Sequence, residues 1–103
     1  MRSADVPTVR VRDSAVVVRS ASAEEASAED TIASKDIIRV TLENVAGCTH
    51  WYLQHRDGWT LHFNDAFPGA FAVSTWLERS LGFRKPTQIA GPGGQGTVAW
   101  SRS

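Results

Sequence analysis

The sequence has little cysteine, no long apolar run and no net charge. Cys48 is the single cysteine among 103 residues, so a disulfide within the chain and a zinc cage of two or more thiolates are both excluded. No uninterrupted apolar run exceeds four residues, which argues against a membrane-spanning helix. Residues 1–7 lack the apolar segment of a signal peptide. These absences predict a soluble protein in a reducing, cytoplasmic compartment.

The charge balance argues against binding of nucleic acid or an anionic membrane by the domain as a whole. Eleven Lys and Arg residues match eleven Asp and Glu residues, so the whole domain has no basic field that would steer it onto nucleic acid or an anionic membrane. The length fits one domain with a modest core. We expect a single α+β domain over residues 1–83, followed by a glycine-rich tail over 84–103.

The first third of the chain combines strand patterns with an acidic interruption. Valines and arginines alternate from Thr8 to Arg12, which predicts a strand. The β-branched run 15–18 is either a second strand paired with the first or its continuation past a bulge. Residues 20–34 are rich in Ser, Ala and acidic side chains, with Ile32 as their one large apolar group. They favour an acidic loop or a short solvated helix.

A strand and a hairpin follow. Residues 37–43 alternate apolar and polar side chains, which predicts a third strand. Asp57-Gly58 between two alternating segments is a strong hairpin signal. A three-residue loop of Arg56, Asp57 and Gly58 pairs apolar with apolar residues, whereas a two-residue loop mixes apolar and polar groups on each face.

This register sorts the hairpin side chains onto two faces. The apolar face carries Trp51, Leu53, Trp59, Leu61 and Phe63. The opposite face carries His50, Tyr52, Gln54, Thr60, His62 and Asn64, which either face water or form a site.

An amphipathic helix over about 66–81 completes the domain. Its apolar stripe contains Val73, Trp76, Leu77 and Leu81, with Asn64 and Asp65 supplying N-cap oxygens. Gly82 is placed for a left-handed C-terminal cap, with Phe83 folding back on Leu77. In the tail, residues 97–100 can return as an edge strand. The fold class is therefore α+β, an antiparallel sheet of about five strands packed by one C-terminal amphipathic helix.

The order of these elements resembles a known family. Asp36-Ile37-Ile38-Arg39-Val40, the hairpin around Arg56-Asp57-Gly58, Phe63, and the helix through Trp76-Leu77-Glu78 to Leu81-Gly82 are similar to the C-terminal part of a bacterial pleckstrin-homology-like domain. The resemblance covers residues 8–83. It implies a bent antiparallel sheet closed by a C-terminal helix, and a non-catalytic role in protein binding or assembly.

Two residue clusters are candidate sites. Cys48, His50 and His62 share one face, so they can be drawn as a metal site or as a thiol site with a histidine base. His55, Arg56 and Trp59 at the hairpin tip, with Arg84 and Lys85 after the helix, can form a basic and aromatic patch for an anionic ligand, a phospholipid or nucleic acid.

The sequence contains no strong catalytic motif. Residues 91–96 satisfy the spacing of a dinucleotide-binding loop, but without the strand and helix that such a loop requires, so we predict no cofactor. The leading interpretation is a small non-enzymatic interaction domain that binds a protein partner or associates with itself. The alternatives are the metal or thiol site and the patch at the hairpin tip.

Overall fold

The computed structural model describes residues 7–19, 29–86, 89 and 96–102. Within these ranges the chain forms seven strands, one α-helix and a short 3-10 helix over Ser34–Asp36. The elements are β1 (Thr8–Arg12), β2 (Ala15–Arg19), β3 (Glu29–Ala33), β4 (Ile37–Val45), β5 (Cys48–His55), β6 (Thr60–Asn64), α1 (Ala70–Leu81) and β7 (Thr97–Ser101).

The strands divide between two antiparallel sheets. One has the order β1-β2-β3 and the other the order β6-β5-β4-β7. The α+β class is therefore confirmed, whereas the expectation of a single sheet of about five strands is not. The 3-10 helix stands in the chain between β3, the last strand of the first sheet, and β4, the first strand of the second.

The first sheet corrects the prediction for the acidic stretch. Residues 29–33 form a strand paired with β2, not a loop or helix, and Ile32 lies opposite Val16 in the core. Burial of this one apolar side chain and pairing with β2 outweigh the local composition. Glu29 lies near the Arg10 and Arg12 guanidinium groups, at 3.5 and 3.7 Å. The rest of the acidic stretch, residues 20–28, lies outside the described residues.

The connection between β1 and β2 shows that residues 15–18 are a second strand paired with the first, not its continuation past a bulge. Arg12 pairs with Ala15, so the two strands form a hairpin with a two-residue turn. Both turn residues have positive φ, 53° at Asp13 and 61° at Ser14. This backbone matches the twist of the flanking strands.

The predicted register of the β5–β6 hairpin is confirmed. Trp51 pairs with Phe63 and Leu53 pairs with Leu61. Gly58 has a φ of 105°, and its N–H donates to the His55 carbonyl at 2.8 Å. Trp59 departs from the predicted apolar face, since 42% of it is exposed. It lies at the hairpin tip, where its ring stacks on His55.

The helix begins later than predicted, at Ala70. Asn64 and Asp65 do not cap it; the Asn64 side chain instead accepts from the Ala66 N–H at 2.8 Å, which makes a separate turn. The Pro68 carbonyl then accepts from the Val9 N–H at 3.1 Å and ties this turn to β1. Gly69, with a φ of 91°, precedes the first helical residue.

The helix ends as predicted. Gly82 is left-handed, with a φ of 77°. Its N–H and that of Phe83 both donate to the Glu78 carbonyl, at 3.0 and 3.1 Å. Phe83 packs against the core, with its ring centroid 6.5 Å from that of Trp51.

One core joins both sheets and the helix. Its buried members are Val9, Val16, Ile32, Ile37, Val40, Leu42, Trp51, Leu53, Leu61, Phe63, Ala70, Val73 and Leu77. Trp76 is half-buried against this core. β7 pairs antiparallel with β4, so the C-terminal segment does return as an edge strand and belongs to the domain. Among the described residues no helix is long and apolar enough to cross a membrane.

Candidate functional site

Polar side chains are grouped on one face of the four-stranded sheet, the face that points away from the core. We call it the outer face. Val98, Thr41, Tyr52 and His62 form one row across β7, β4, β5 and β6, and Glu43, His50 and Asn64 form the next row. These rows arise because alternate side chains of a strand point to opposite sides of the sheet. Val98 is 55% exposed.

The two histidines of the outer face contact each other directly. His50 Nδ1 and His62 Nε2 are 2.8 Å apart. The ring planes differ by only 12°, and the centroids are 5.0 Å apart. Such a wide centroid spacing with so short a nitrogen contact means that the rings meet edge to edge, not face to face. One nitrogen donates a proton and the other accepts it.

Aromatic and acidic groups surround this pair. The Tyr52 ring lies 5.0 Å from the His62 ring, and its hydroxyl donates to Glu43 Oε1 at 3.0 Å. The Phe67 ring is nearly perpendicular to the His62 ring, with centroids 6.2 Å apart. Glu43 is also the cross-strand partner of His50. The carboxylate therefore lies beside the histidine pair but is already hydrogen bonded to a phenol.

These surroundings shift two pKa values. Burial raises the pKa of Tyr52, and the hydrogen bond and negative charge of Glu43 raise it further. Partial desolvation lowers the pKa of His62 although the residue as a whole is exposed, the nearby His50 lowers it further, and Glu43 acts in the opposite direction. Both shifts favour the neutral form of the side chain.

Cys48 shares the outer face with His50 but does not join the pair. The only hydrogen-bond partner of its sulfur within the described ranges is the Thr49 carbonyl, at 4.0 Å. Within residues 7–19, 29–86, 89 and 96–102, no three His, Cys, Asp or Glu side chains are grouped so that they could hold a metal ion. Of the predicted trio, the structure brings together His50 and His62.

The hairpin tip is engaged in contacts within the domain. Arg56 Nε lies 3.2 Å from Asp36 Oδ1, and its Nη2 donates to the Lys35 carbonyl at 2.9 Å. His55 Nδ1 accepts from the Asp57 N–H at 2.9 Å, so its other ring nitrogen carries the proton that faces Asp36, 3.7 Å away. These contacts hold the hairpin tip against the 3-10 helix.

Trp59 and the two cations after the helix complete the predicted patch, but the structure does not bring them together. The Trp59 ring stacks on His55 with centroids 4.5 Å apart. Lys85 lies 3.5 Å from Asp65, at the opposite end of β6, and Arg84 is exposed beside it. At about 3.3 Å per residue along a strand, these ends are roughly 20 Å apart. The structure therefore separates the five residues into two groups, and their binding of an anionic ligand, a phospholipid or nucleic acid stays a prediction.

A groove on the helix is a feature that the sequence did not reveal. It has a volume of about 340 Å³ and is lined by Asp65, Phe71, Ser74, Thr75, Glu78 and Lys85. We call it the Phe71 groove. Phe71 is 84% exposed, and no described residue forms an ion pair with Glu78. The available signal was the spacing of Phe71, Thr75 and Glu78, which places them along one stripe of a helix.

The comparisons with known proteins assign no relative. No family model, no curated protein and no solved structure matches this chain. The resemblance to pleckstrin-homology-like domains accordingly stays a prediction.

Proposed function

We propose that this chain is a small non-enzymatic interaction domain that binds a protein segment in the Phe71 groove. The observation that carries the proposal is the 84% exposure of Phe71 at the edge of a concave surface. A large exposed apolar side chain beside a concave surface is typical of docking sites. The same role is implied by the resemblance to pleckstrin-homology-like domains.

The size of the groove limits what it can hold. Its volume of about 340 Å³ lies at the lower end of the range of roughly 300 to 1,000 Å³ that is typical of ligand pockets. A groove of this size has room for one or two side chains of a partner, such as the apolar anchors of a bound peptide.

The charges of the groove define the chemistry of the partner. Asp65 and Glu78 contribute two carboxylates, and Lys85 forms an ion pair with Asp65. The Glu78 carboxylate therefore attracts a cation, while Phe71 offers apolar contact. The preferred segment carries an apolar side chain with a lysine or arginine close to it in sequence.

Selection from a library of random linear peptides tests this proposal. The selected peptides are synthesised with a fluorophore, and their affinity for the purified chain is measured by fluorescence anisotropy. We expect enrichment of an apolar residue next to Lys or Arg. The Phe71→Ser variant should bind these peptides at least about 10-fold more weakly, since an anchor residue contributes 2 kcal/mol or more.

Val98→Ser is the matched control, because it removes an exposed apolar side chain elsewhere on the surface. It should leave the affinity unchanged. Glu78→Gln should weaken binding by a smaller factor and reduce its dependence on salt. Selected peptides that bind Phe71→Ser as tightly as the original chain would overturn the proposal. Sedimentation of the free chain as a concentration-dependent dimer that Phe71→Ser abolishes would show instead that a second copy occupies the groove.

A further inference from the structure

The contact between His50 and His62 supports an inference independent of the Phe71 groove. We propose that these two imidazoles form a chelating site for a divalent transition-metal ion with tetragonal geometry, of the Cu²⁺ or Ni²⁺ class. The site consists of His50 Nδ1 on β5 and His62 Nε2 on β6, which converge to 2.8 Å. Neutral imidazole nitrogen is a preferred ligand of these ions.

The spacing of the nitrogens in the hydrogen bond matches the spacing that a tetragonal ion requires once the rings have turned toward it. Two ligands with bonds of about 2.0 Å and a tetrahedral angle lie roughly 3.3 Å apart, so a tetrahedral zinc site would require the rings to separate. A spacing of 2.8 Å corresponds to an angle close to 90° at the metal, as between neighbouring corners of a square. Square-planar or tetragonal coordination by nitrogen and oxygen is typical of Cu²⁺ and Ni²⁺.

Ion binding exchanges a hydrogen bond for two metal bonds. In the free protein one of the two facing nitrogens carries the shared proton. On binding, that ring carries its proton on the far nitrogen instead, so that both facing nitrogens present lone pairs to the ion. Two neutral rings therefore take up the ion without a net change in bound protons. Because the two nitrogens point at each other in the hydrogen bond, each ring must turn about its terminal torsion, which is soft in histidine, until its lone pair points at the ion.

The surroundings of the two histidines are open to water and include a negative charge, and both favour a bound cation. His62 is exposed on the outer face, so water can fill the remaining coordination positions. Glu43, opposite His50, adds a negative charge beside the site, while only one of its oxygens accepts from Tyr52. We assign Glu43 a positioning and electrostatic role, not that of a ligand. The strand register places one further charged residue, Arg39, on this face. It lies opposite Gln54, further along the sheet.

The test uses the purified full-length chain and Cu²⁺ as the probe. Calorimetric titration should show one ion per chain, and the electron paramagnetic resonance spectrum should be tetragonal with coupling to two nitrogens. The His62→Ala variant should bind the ion more than about 10-fold more weakly, because one of two protein ligands is lost. Its spectrum should lose the second nitrogen.

The third histidine supplies a matched control. His55 is held by the Asp57 backbone N–H and faces Asp36, so His55→Ala should retain the affinity and the spectrum. Cys48→Ser should also retain both, whereas Glu43→Gln should weaken binding without changing the number of coupled nitrogens. Circular dichroism of each variant confirms that it is folded. Equal binding by the His62→Ala and original chains, or a loss of binding in Cys48→Ser, would overturn the assignment.

Discussion

The two sides of the four-stranded sheet differ in burial and in chemistry, although alternate residues of the same strands form them. On the inner side, Trp51, Leu53 and Phe63 have no exposed surface. On the outer side, His62 contacts His50 through ring nitrogens and stacks on the Tyr52 ring. The inner side stabilises the domain through burial, whereas the outer side tolerates ionisable groups because water remains close.

Substitutions on the two sides should therefore have different effects. A change on the inner side removes packing that nothing replaces, since protein interiors are close-packed. A change on the outer side alters hydrogen bonds that water can partly restore. The free energy of unfolding and the titration of Tyr52 distinguish the two sides.

The largest expected effect is on the inner side, at Trp51. Trp51→Ala should lower the free energy of unfolding by about 3 to 5 kcal/mol, because it leaves a cavity in the core. It also removes the hydrogen bond from the indole N–H to Asp65, 3.0 Å long. Urea denaturation followed by circular dichroism measures the loss. Trp59→Ala, at a site 42% exposed, is the control, with an expected loss below about 1.5 kcal/mol. Equal losses for the two tryptophans would contradict the assigned sides.

The next largest effect concerns the loop that leads into the helix over the inner side. At Gly69 an added Cβ would collide with the Val9 carbonyl oxygen, and the backbone has a φ of 91°. Gly69→Ala should therefore lower the free energy of unfolding by about 2 kcal/mol or more. Gly58→Ala serves as the control, because its φ of 105° is also positive but its surroundings are open. A smaller loss at Gly69 than at Gly58 would refute the close approach of this loop to β1.

A moderate effect is expected on the outer side, at the single tyrosine of the chain. Since the pKa of Tyr52 is raised, folding favours the neutral phenol. This contribution to stability is complete below the ordinary pKa of tyrosine, and it is lost as the pH rises through the higher pKa of the folded state.

Ultraviolet absorbance reports this titration without interference from another tyrosine. The folded chain should ionise at higher pH than the chain in denaturant, and Glu43→Gln should bring the two midpoints closer. Tyr52→Phe should lower the free energy of unfolding by about 0.5 to 1.5 kcal/mol, because it removes the hydrogen bond to Glu43. Coincident midpoints in the folded and unfolded chain would exclude that hydrogen bond.

The smallest effect is expected at the exposed surface of the helix. Phe71→Ser should leave the free energy of unfolding within about 0.5 kcal/mol of the original value, because the side chain is 84% exposed and contributes little packing. Thermal and urea denaturation both measure this difference. A loss of 2 kcal/mol or more would place Phe71 in the core and remove the basis of the groove.

The residues of the β5–β6 hairpin show what local pattern can predict. The pairing of Leu53 with Leu61 follows from keeping apolar side chains on one face, and the turn requires a residue such as Gly58 at positive φ. The same pattern places His50 and His62 on one face. It does not determine that their nitrogens meet, because that depends on side-chain torsions set by Tyr52 and Phe67.

Segments with weak local signals were predicted less well. Residues 29–33 become a strand only because β2 offers hydrogen bonds and a place for Ile32. The five residues of the predicted patch are separated for a related reason. His55 and Arg84 are each suitable in type, yet the strand between them keeps them apart, and Asp36 already pairs with Arg56.

The amino-acid sequence alone determined the α+β class, the register around Gly58 and the end of the helix at Gly82, since each depends on neighbours close in the chain. The tertiary structure decided the division into two sheets, the pairing of β7 with β4, the exposure of Trp59 and Phe71, and the contact between the two histidines. These features depend on contacts between distant segments, whose free energies no local pattern contains.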